Sequence, residues 1–153
     1  MYRKILVPLD GSELAECVLP HVESISKGCG AETVVFLRVI DSDMPSAVDA
    51  YLTEEQKKET DEGNEMAGKN YLNQIVSQIQ LGKINLQTQL INGKVAESII
   101  GYTEENSIDL IIIATHGRSG VSRWVWGSVA DHVLRGVCIP VLMIRVPGCV
   151  PGI

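Results

Sequence analysis

The chain has 153 residues, 45% of them hydrophobic and 21% charged, which is typical of one globular domain with a single core. Its net charge of −6 argues against general nucleic-acid binding, which requires a basic surface. No apolar run approaches the ~20 residues of a membrane span, and the start, MYRKILVPLDGS, lacks the long apolar stretch of a signal peptide. We therefore expect a cytoplasmic protein with no membrane and no nucleic-acid partner.

Strand-like and helix-like segments alternate along the whole chain. In order, the apolar periodicity predicts a strand at 3–10, a helix at 12–27, a strand at 33–40, a helix at 53–80, a strand at 84–91, a helix at 95–105, a strand at 108–114, a helix at 128–135 and a strand at 139–146. Gly28 and Gly30 are stop signals for the first helix.

The alternation predicts an α/β fold with a parallel sheet and helices on both faces. The strand at 108–114 is the most apolar and is expected at the centre of the sheet, and the strand at 84–91 nearer an edge. Ligands of such sheets bind beyond the carboxyl ends of the strands. The candidate loops are therefore 8–12, 39–52, 92–95 and 114–128.

The four cysteines, at positions 17, 29, 138 and 149, show no spacing typical of zinc or redox motifs. Without an export signal we expect reduced thiols. Cys17 and Cys138 fall in apolar helical or helix-end segments, so we expect both to be small core residues.

Charge is unevenly distributed along the chain. Residues 41–65 hold nine acidic side chains and two lysines, whereas residues 114–145 hold four arginines and one aspartate. A locally positive C-terminal third would suit a phosphate ligand, although both segments also have the composition of ordinary solvated faces.

The stretch ATHGRSGVSRWVWGS, residues 114–128, is the most informative loop. It matches neither the P-loop nor the GxGxxG or GxSxG patterns. Gly127 precedes Ser128 at a predicted helix start, where free N–H groups and the positive end of the helix dipole suit a phosphate. The alternative is an ordinary strand-to-helix loop in which Ser128 caps the helix, because Ser128 and Asp131 fit the S-x-x-[DE] capping pattern.

The same stretch resembles the nucleotide loop of the universal stress protein family. ATP-binding members of that family carry G-x2-G-x9-G-[ST], and Ala114, Gly117, Gly127 and Ser128 fall on its four fixed positions, with alanine in place of the first glycine. Further similar segments are KILVPLDGSELAE, VIDSD, GKVAESII and IPVLMIR, so the resemblance extends from Tyr2 to Val146.

The resemblance implies a single doubly wound, five-stranded, Rossmann-like domain over residues 1–146, with strand order 3-2-1-4-5 and a loose tail at 147–153. It implies ATP with Mg²⁺ or Mn²⁺ as ligand and a homodimer formed through the last strand, about 140–145. Pro8, Leu9 and Asp10 would line the adenine and ribose side, and the backbone of Val39 would touch the adenine. The residues implied around the phosphates and the helix start are Ala114, Thr115, His116, Gly117, Arg118, Ser119, Gly120, Gly127, Ser128 and Val129.

Several of these residues have alternative roles. Asp10 is a ligand contact or a cap of the first helix, and Arg118 is a phosphate partner or a solvated loop residue. Trp124 and Trp126 could stack a base, but packing against the sheet or a partner subunit is the favoured reading. His116 could be a base, but no serine–histidine–acid arrangement accompanies it.

The function implied is an ATP-dependent switch in stress response with at most slow ATP hydrolysis. One alternative is a dimeric stress-related interaction protein that binds no nucleotide, which Ala114 and the acidic loop after the second strand favour. A second alternative is a nucleotide hydrolase that uses His116 and Asp10.

Overall fold

The computed structural model describes residues 2–41, 52–115 and 127–145. Its elements, in chain order, are β1 (Lys4–Pro8), a 3₁₀ helix (Ala15–Val18), α1 (Leu19–Cys29), β2 (Thr33–Asp41), α2 (Glu54–Gln78), β3 (Asn85–Gly93), α3 (Val95–Glu105), β4 (Leu110–Ala114), α4 (Ser128–Gly136) and β5 (Val141–Ile144). The expected tail and the loop residues 116–126, with both tryptophans, lie outside the described residues.

The strands form one five-stranded parallel sheet in the order β3-β2-β1-β4-β5. This confirms the α/β, Rossmann-like fold and the edge position of β3. β4 is an interior strand but lies one place from the centre, which β1 occupies. The strand order reverses between β1 and β4, so the carboxyl ends of these two strands border the crevice in which such folds bind ligands.

Helices cover both faces of the sheet. Successive residues of a strand point to opposite faces, so Ile5 and Val7 pack beneath α1 and α2, whereas Leu6 packs beneath α3 and α4. These three side chains of β1 are fully buried. A shift of register by one residue would place Ile5 and Val7 beneath α3 and α4 and Leu6 beneath α1 and α2, so the packing of each side chain depends on the register.

The first helical segment differs from the single helix predicted at 12–27. It consists of a 3₁₀ turn followed by α1, and the N–H of Leu19 donates to the carbonyl of Glu16 in a 3₁₀ bond. The change occurs where Pro20, which has no N–H, stands at the start of α1. Gly30 ends the helix in the left-handed conformation (φ 66°), whereas Gly28 lies inside it.

The long helix α2 begins with a capping box. The N–H of Gln56 donates to Thr53 Oγ1, and the N–H of Thr53 donates to Gln56 Oε1. The first half of the helix is polar and mostly exposed, and the second half contributes Leu72 and Ile75 to the core. None of the helices in the three described segments is long and apolar enough to cross a membrane.

The prediction that Cys138 is a core residue is wrong. Its side chain is exposed because α4 ends at Gly136 and residue 138 lies in the connection to β5. Cys17 is half-buried and packs against the core beneath α1 and α2. Within the described residues, no group of three or more histidine, cysteine, aspartate or glutamate side chains could hold a metal ion.

Candidate functional site

The turn after β1 is ordered by the Asp10 side chain. Its Oδ1 accepts hydrogen bonds from the N–H of Ser12 (2.8 Å) and from Ser12 Oγ (2.6 Å). Ser12 Oγ in turn accepts from the N–H of Ala15 at 3.2 Å. Asp10 therefore braces the turn, whereas the N–H of Ala15, the first residue of the 3₁₀ helix, donates to the hydroxyl and the carbonyl of Ser12, so the alternative that Asp10 caps the helix is wrong.

Thr115 and Gly127 hold the two ends of the predicted phosphate loop together. The N–H of Gly127 donates to the carbonyl of Thr115 at 2.7 Å, and the N–H of Thr115 donates to the carbonyl of Ile144 in β5 at 2.9 Å. Thr115 is buried. The chain thus leaves β4 and returns to α4 at one place on the carboxyl edge of the sheet, while His116, Gly117, Arg118, Ser119 and Gly120 lie between, outside the described residues.

Ser128 is the first residue of α4 and does not cap it. The carbonyl of Gly127 accepts the first helical hydrogen bond, from the N–H of Asp131 at 3.0 Å, so the helix begins one residue earlier than the capping pattern requires. Asp131 instead forms an ion pair with Arg135 at 3.0 Å. The predicted capping box is therefore wrong, because the N-cap residue is Gly127, which has no side chain with which to cap the first turn of α4.

A groove of about 250 Å³ lies between the first turns of α3 and α4 and the end of β2. Lys94 is the N-cap residue of α3 and likewise makes no side-chain cap. The residues that line the groove are Asp41, Lys94, Val95, Ala96, Glu97, Ser128, Val129 and His132. Two uncapped helix N-termini therefore open on one groove, and their N–H groups and dipoles favour a negatively charged ligand.

The predicted site residues are divided between the two faces of the sheet. Ser128 and Val129 line the groove, and Val39 packs on the same face, beneath α3 and α4. Ala114 packs against the opposite core, beneath α1 and α2. Leu9 belongs to that opposite core and is 4% exposed, so only its backbone is available to a ligand, and Pro8 beside it is also buried.

Four polar residues of the groove were not predicted as site residues. Asp41 and Lys94 lie within candidate loops, but their side chains carry no motif. His132 stands four residues after Ser128, which places it on the same side of α4 one turn later, so helical periodicity could have identified it. Glu97 stands in the first turn of α3, and only the approach of α3 to α4 brings it to the groove.

The family model "Universal stress protein family" matches residues 1–145. The chain belongs to the universal stress protein family. Among its relatives, universal stress protein MJ0531 of Methanocaldococcus jannaschii is 30% identical over 96% of this chain and 84% of its own length. The family therefore covers all the described elements, including the turn after β1 and the start of α4.

Solved structures agree with the fold. Protein MJ0577 of the same archaeon superposes with a TM-score of 0.83 at 30% identity, covering 97% of this chain and 99% of its own. A universal stress protein family member from Arabidopsis thaliana, with AMP bound, gives a TM-score of 0.66 over 95% of this chain and 93% of its own. Its 15% identity supports a shared fold alone.

Proposed function

We propose that this universal stress protein is of the ATP-binding kind and acts as a nucleotide-dependent switch. The ligand is ATP with Mg²⁺ or Mn²⁺, bound across the carboxyl ends of β1 and β4. The observation that carries the proposal is the groove between the uncapped N-termini of α3 and α4, since such helix starts favour phosphate groups.

The alanine that replaces the first glycine of the family pattern is compatible with this ligand. Ala114 stands at the end of β4, and its side chain packs beneath α1 and α2, away from the face that carries the groove. Adjacent Ile113 packs on the groove face, as the alternation of a strand requires. The added methyl group therefore takes no space from the groove.

The hydrogen bonding of the Asp10 carboxylate suits a metal ion bound to the nucleotide better than a metal ion held by the protein alone. Asp10 uses Oδ1 within its turn, and no described residue bonds its Oδ2, which can accept a ribose hydroxyl or a metal-bound water. Mg²⁺, when bound, coordinates phosphate oxygens and keeps several waters, so it needs few protein ligands. We propose that any hydrolysis of the bound ATP is slow.

A purification experiment tests nucleotide binding. Protein purified without added nucleotide is denatured, and the supernatant is analysed for released nucleotide by ion exchange and absorbance at 260 nm. Calorimetric titration with Mg-ATP follows. Released ATP near one per chain, or saturable heat, is expected. An empty protein that gives no heat with Mg-ATP contradicts the proposal.

Ser128→Pro tests the role of the α4 N-terminus. Proline at the first helical position keeps the helix but removes one N–H from the groove, and we expect Mg-ATP affinity to fall about tenfold, the loss of one hydrogen bond to a charged group. Glu54→Pro is the matched control, because Glu54 is the first residue of α2, remote from the groove. If Ser128→Pro and Glu54→Pro bind Mg-ATP with equal affinity, the phosphates do not bind at the N-terminus of α4.

A second candidate function is a dimeric interaction protein that binds no nucleotide. The acidic, exposed first half of α2 favours it, since that half offers a charged surface and contributes little to the core. Absence of bound nucleotide together with a stable dimer would support it. For either function we propose a cytoplasmic location, which the free thiols of Cys17, Cys29 and Cys138 support.

A further inference from the structure

Arg38 lies behind the turn that carries Asp10. It follows Leu37 on β2, pairs with Leu90 of β3, and precedes Val39. Leu37 and Val39 pack beneath α3 and α4, so the alternation of the strand directs Arg38 to the opposite face, beneath α1 and α2. Arg38 therefore lies on the reverse side of the sheet from the groove.

The guanidinium group of Arg38 is enclosed between the turn and an aromatic ring. A Cβ atom built on Gly11 would lie 2.6 Å from Nη1 and 2.8 Å from Cζ, so the group occupies the side of the turn on which Gly11 has no side chain. On its other side, Cζ is 5.2 Å from the ring centroid of Tyr71 in α2, within the range of a cation–π interaction. Arg38 makes no hydrogen bond or ion pair with any other described residue.

Two carboxylates share this environment. Burial raises the pKa of the Tyr71 hydroxyl, the negative charges of Glu16 and Asp10 raise it further, and the positive charge of Arg38 opposes them. The hydroxyl is buried and makes no hydrogen bond of ordinary geometry with the described residues, although Glu16 lies near enough to influence it. Tyr71 thus remains neutral, and its ring supports the Arg38 cation, which faces the Asp10 turn from this side.

We propose that Arg38, supported by Tyr71, is a positioning residue for the nucleotide site. Its guanidinium packs against Gly11 and holds the turn in the conformation in which Asp10 is bonded to Ser12. The identity of the ligand that Asp10 contacts rests on the proposed function. The packing of the turn, however, can be tested without any nucleotide.

The first test measures the ligand-free protein. Hydrogen exchange of the Ser12 amide, whose N–H bonds Asp10, is compared with that of the Ile111 amide in the sheet. Arg38→Met and Tyr71→Leu are expected to speed Ser12 exchange about fivefold or more, the size of one cation–π contact, with Ile111 exchange unchanged. Lys69→Met, which removes a positive charge from the exposed surface of α2, is the control and leaves both amides unchanged. Unchanged Ser12 exchange in Arg38→Met overturns the inference.

The second test is a double-mutant cycle on Mg-ATP affinity. Arg38→Met is expected to weaken binding about fivefold in the native protein but less than twofold in Asp10→Asn, because Arg38 acts through the Asp10 turn. Arg38→Lys, which keeps the charge, is expected to recover part of the affinity. Additive effects in the cycle overturn the inference. If the native protein binds no Mg-ATP, the proposed function fails, and Ser12 exchange alone decides whether Arg38 orders the turn.

Discussion

Asp10, Gly11 and Ser12 each contribute a different property to the turn after β1. Asp10 supplies a carboxylate oxygen to two donors of Ser12, and Ser12 supplies an acceptor to the start of the 3₁₀ helix. Gly11 supplies a positive φ of 82° and a surface without a side chain. The turn is therefore specific at all three positions, as expected for backbone that approaches a ligand.

Gly11→Ala is expected to destabilise the protein by about 1–3 kcal/mol, because alanine is strained at a positive φ and its Cβ would meet Arg38. Urea unfolding measures the change. Gly28→Ala is the control, since Gly28 lies inside α1 and a Cβ there meets nothing within 4 Å. We expect that variant to gain up to about 1 kcal/mol, and equal values for the two variants would contradict the strained turn.

Asp109 is expected to contribute to stability in a pH-dependent manner. Its Oδ2 accepts from the N–H groups of Lys4 (2.9 Å) and Arg3 (2.8 Å), and these bonds lower its pKa below the usual value. The contribution is present above the unfolded-state pKa of about 3.9 and is lost as pH falls through the lower folded-state pKa. Asp109→Asn should therefore lower the melting temperature at pH 7 more than at pH 2.5. Asp61→Asn in exposed α2 should show no such difference between the two pH values. An equal fall in the melting temperature of Asp109→Asn at both pH values would argue against a stabilising contribution from the ionised carboxylate.

Secondary-structure elements in this fold begin and end through local chemistry, and their positions are fixed by packing. The capping box at Thr53 starts α2, although the first half of that helix packs little apolar surface. Its second half is held by Leu72 and Ile75 in the core beneath the sheet. The start of α2 is therefore the part that depends most on its cap.

Thr53→Ala is expected to cost about 1 kcal/mol, the usual loss when an N-cap side chain is removed. Urea unfolding and hydrogen exchange of the first turn of α2 measure the effect. Thr60→Ala is the matched control, because Thr60 Oγ1 bonds the Gln56 carbonyl inside the helix and alanine is the better helix former. A smaller loss in Thr53→Ala than in Thr60→Ala would show that the capping box does not form in solution.

The whole molecule presents β5 at one edge of the sheet, and we propose that two copies pair through it. The carbonyls of Pro140 and Ile144 accept bonds from the β4 side, from the N–H groups of Ile111 and Thr115. Because strand backbone groups alternate in direction, the N–H of Met143 points away from the sheet. The apolar strand carries no charge before Arg145, and an edge of this kind favours pairing.

Met143→Pro is expected to produce a folded monomer, because it removes an outward N–H and leaves the bonds to β4 intact. Analytical ultracentrifugation should give twice the chain mass of 16.7 kDa for the native protein and one chain mass for the variant. Met143→Leu, which changes the side chain but keeps the N–H, should remain dimeric. A dimeric Met143→Pro would indicate that a different surface forms the dimer.

The sequence by itself determined the fold class and most element positions. A short β-branched run such as LIIIA with a turn after it favours a buried strand, and apolar residues at helical spacing favour a helix with one buried face, so most elements followed from the local pattern. Helix α3 has the predicted bounds, and α2 begins one residue after its predicted start. Errors in the element boundaries arose where one residue decides the boundary, as at Pro20 and at Gly127.

The tertiary structure alone decided which residues share a site. Ser128 belongs to a recognisable pattern, but Lys94 and His132 reach the same groove only because α3 packs beside α4. Arg38 meets Gly11 and Tyr71 because β2 lies next to β1 and α2 packs on β2. Periodicity records which face of an element is buried, whereas the neighbour it meets depends on long-range packing that no local pattern specifies.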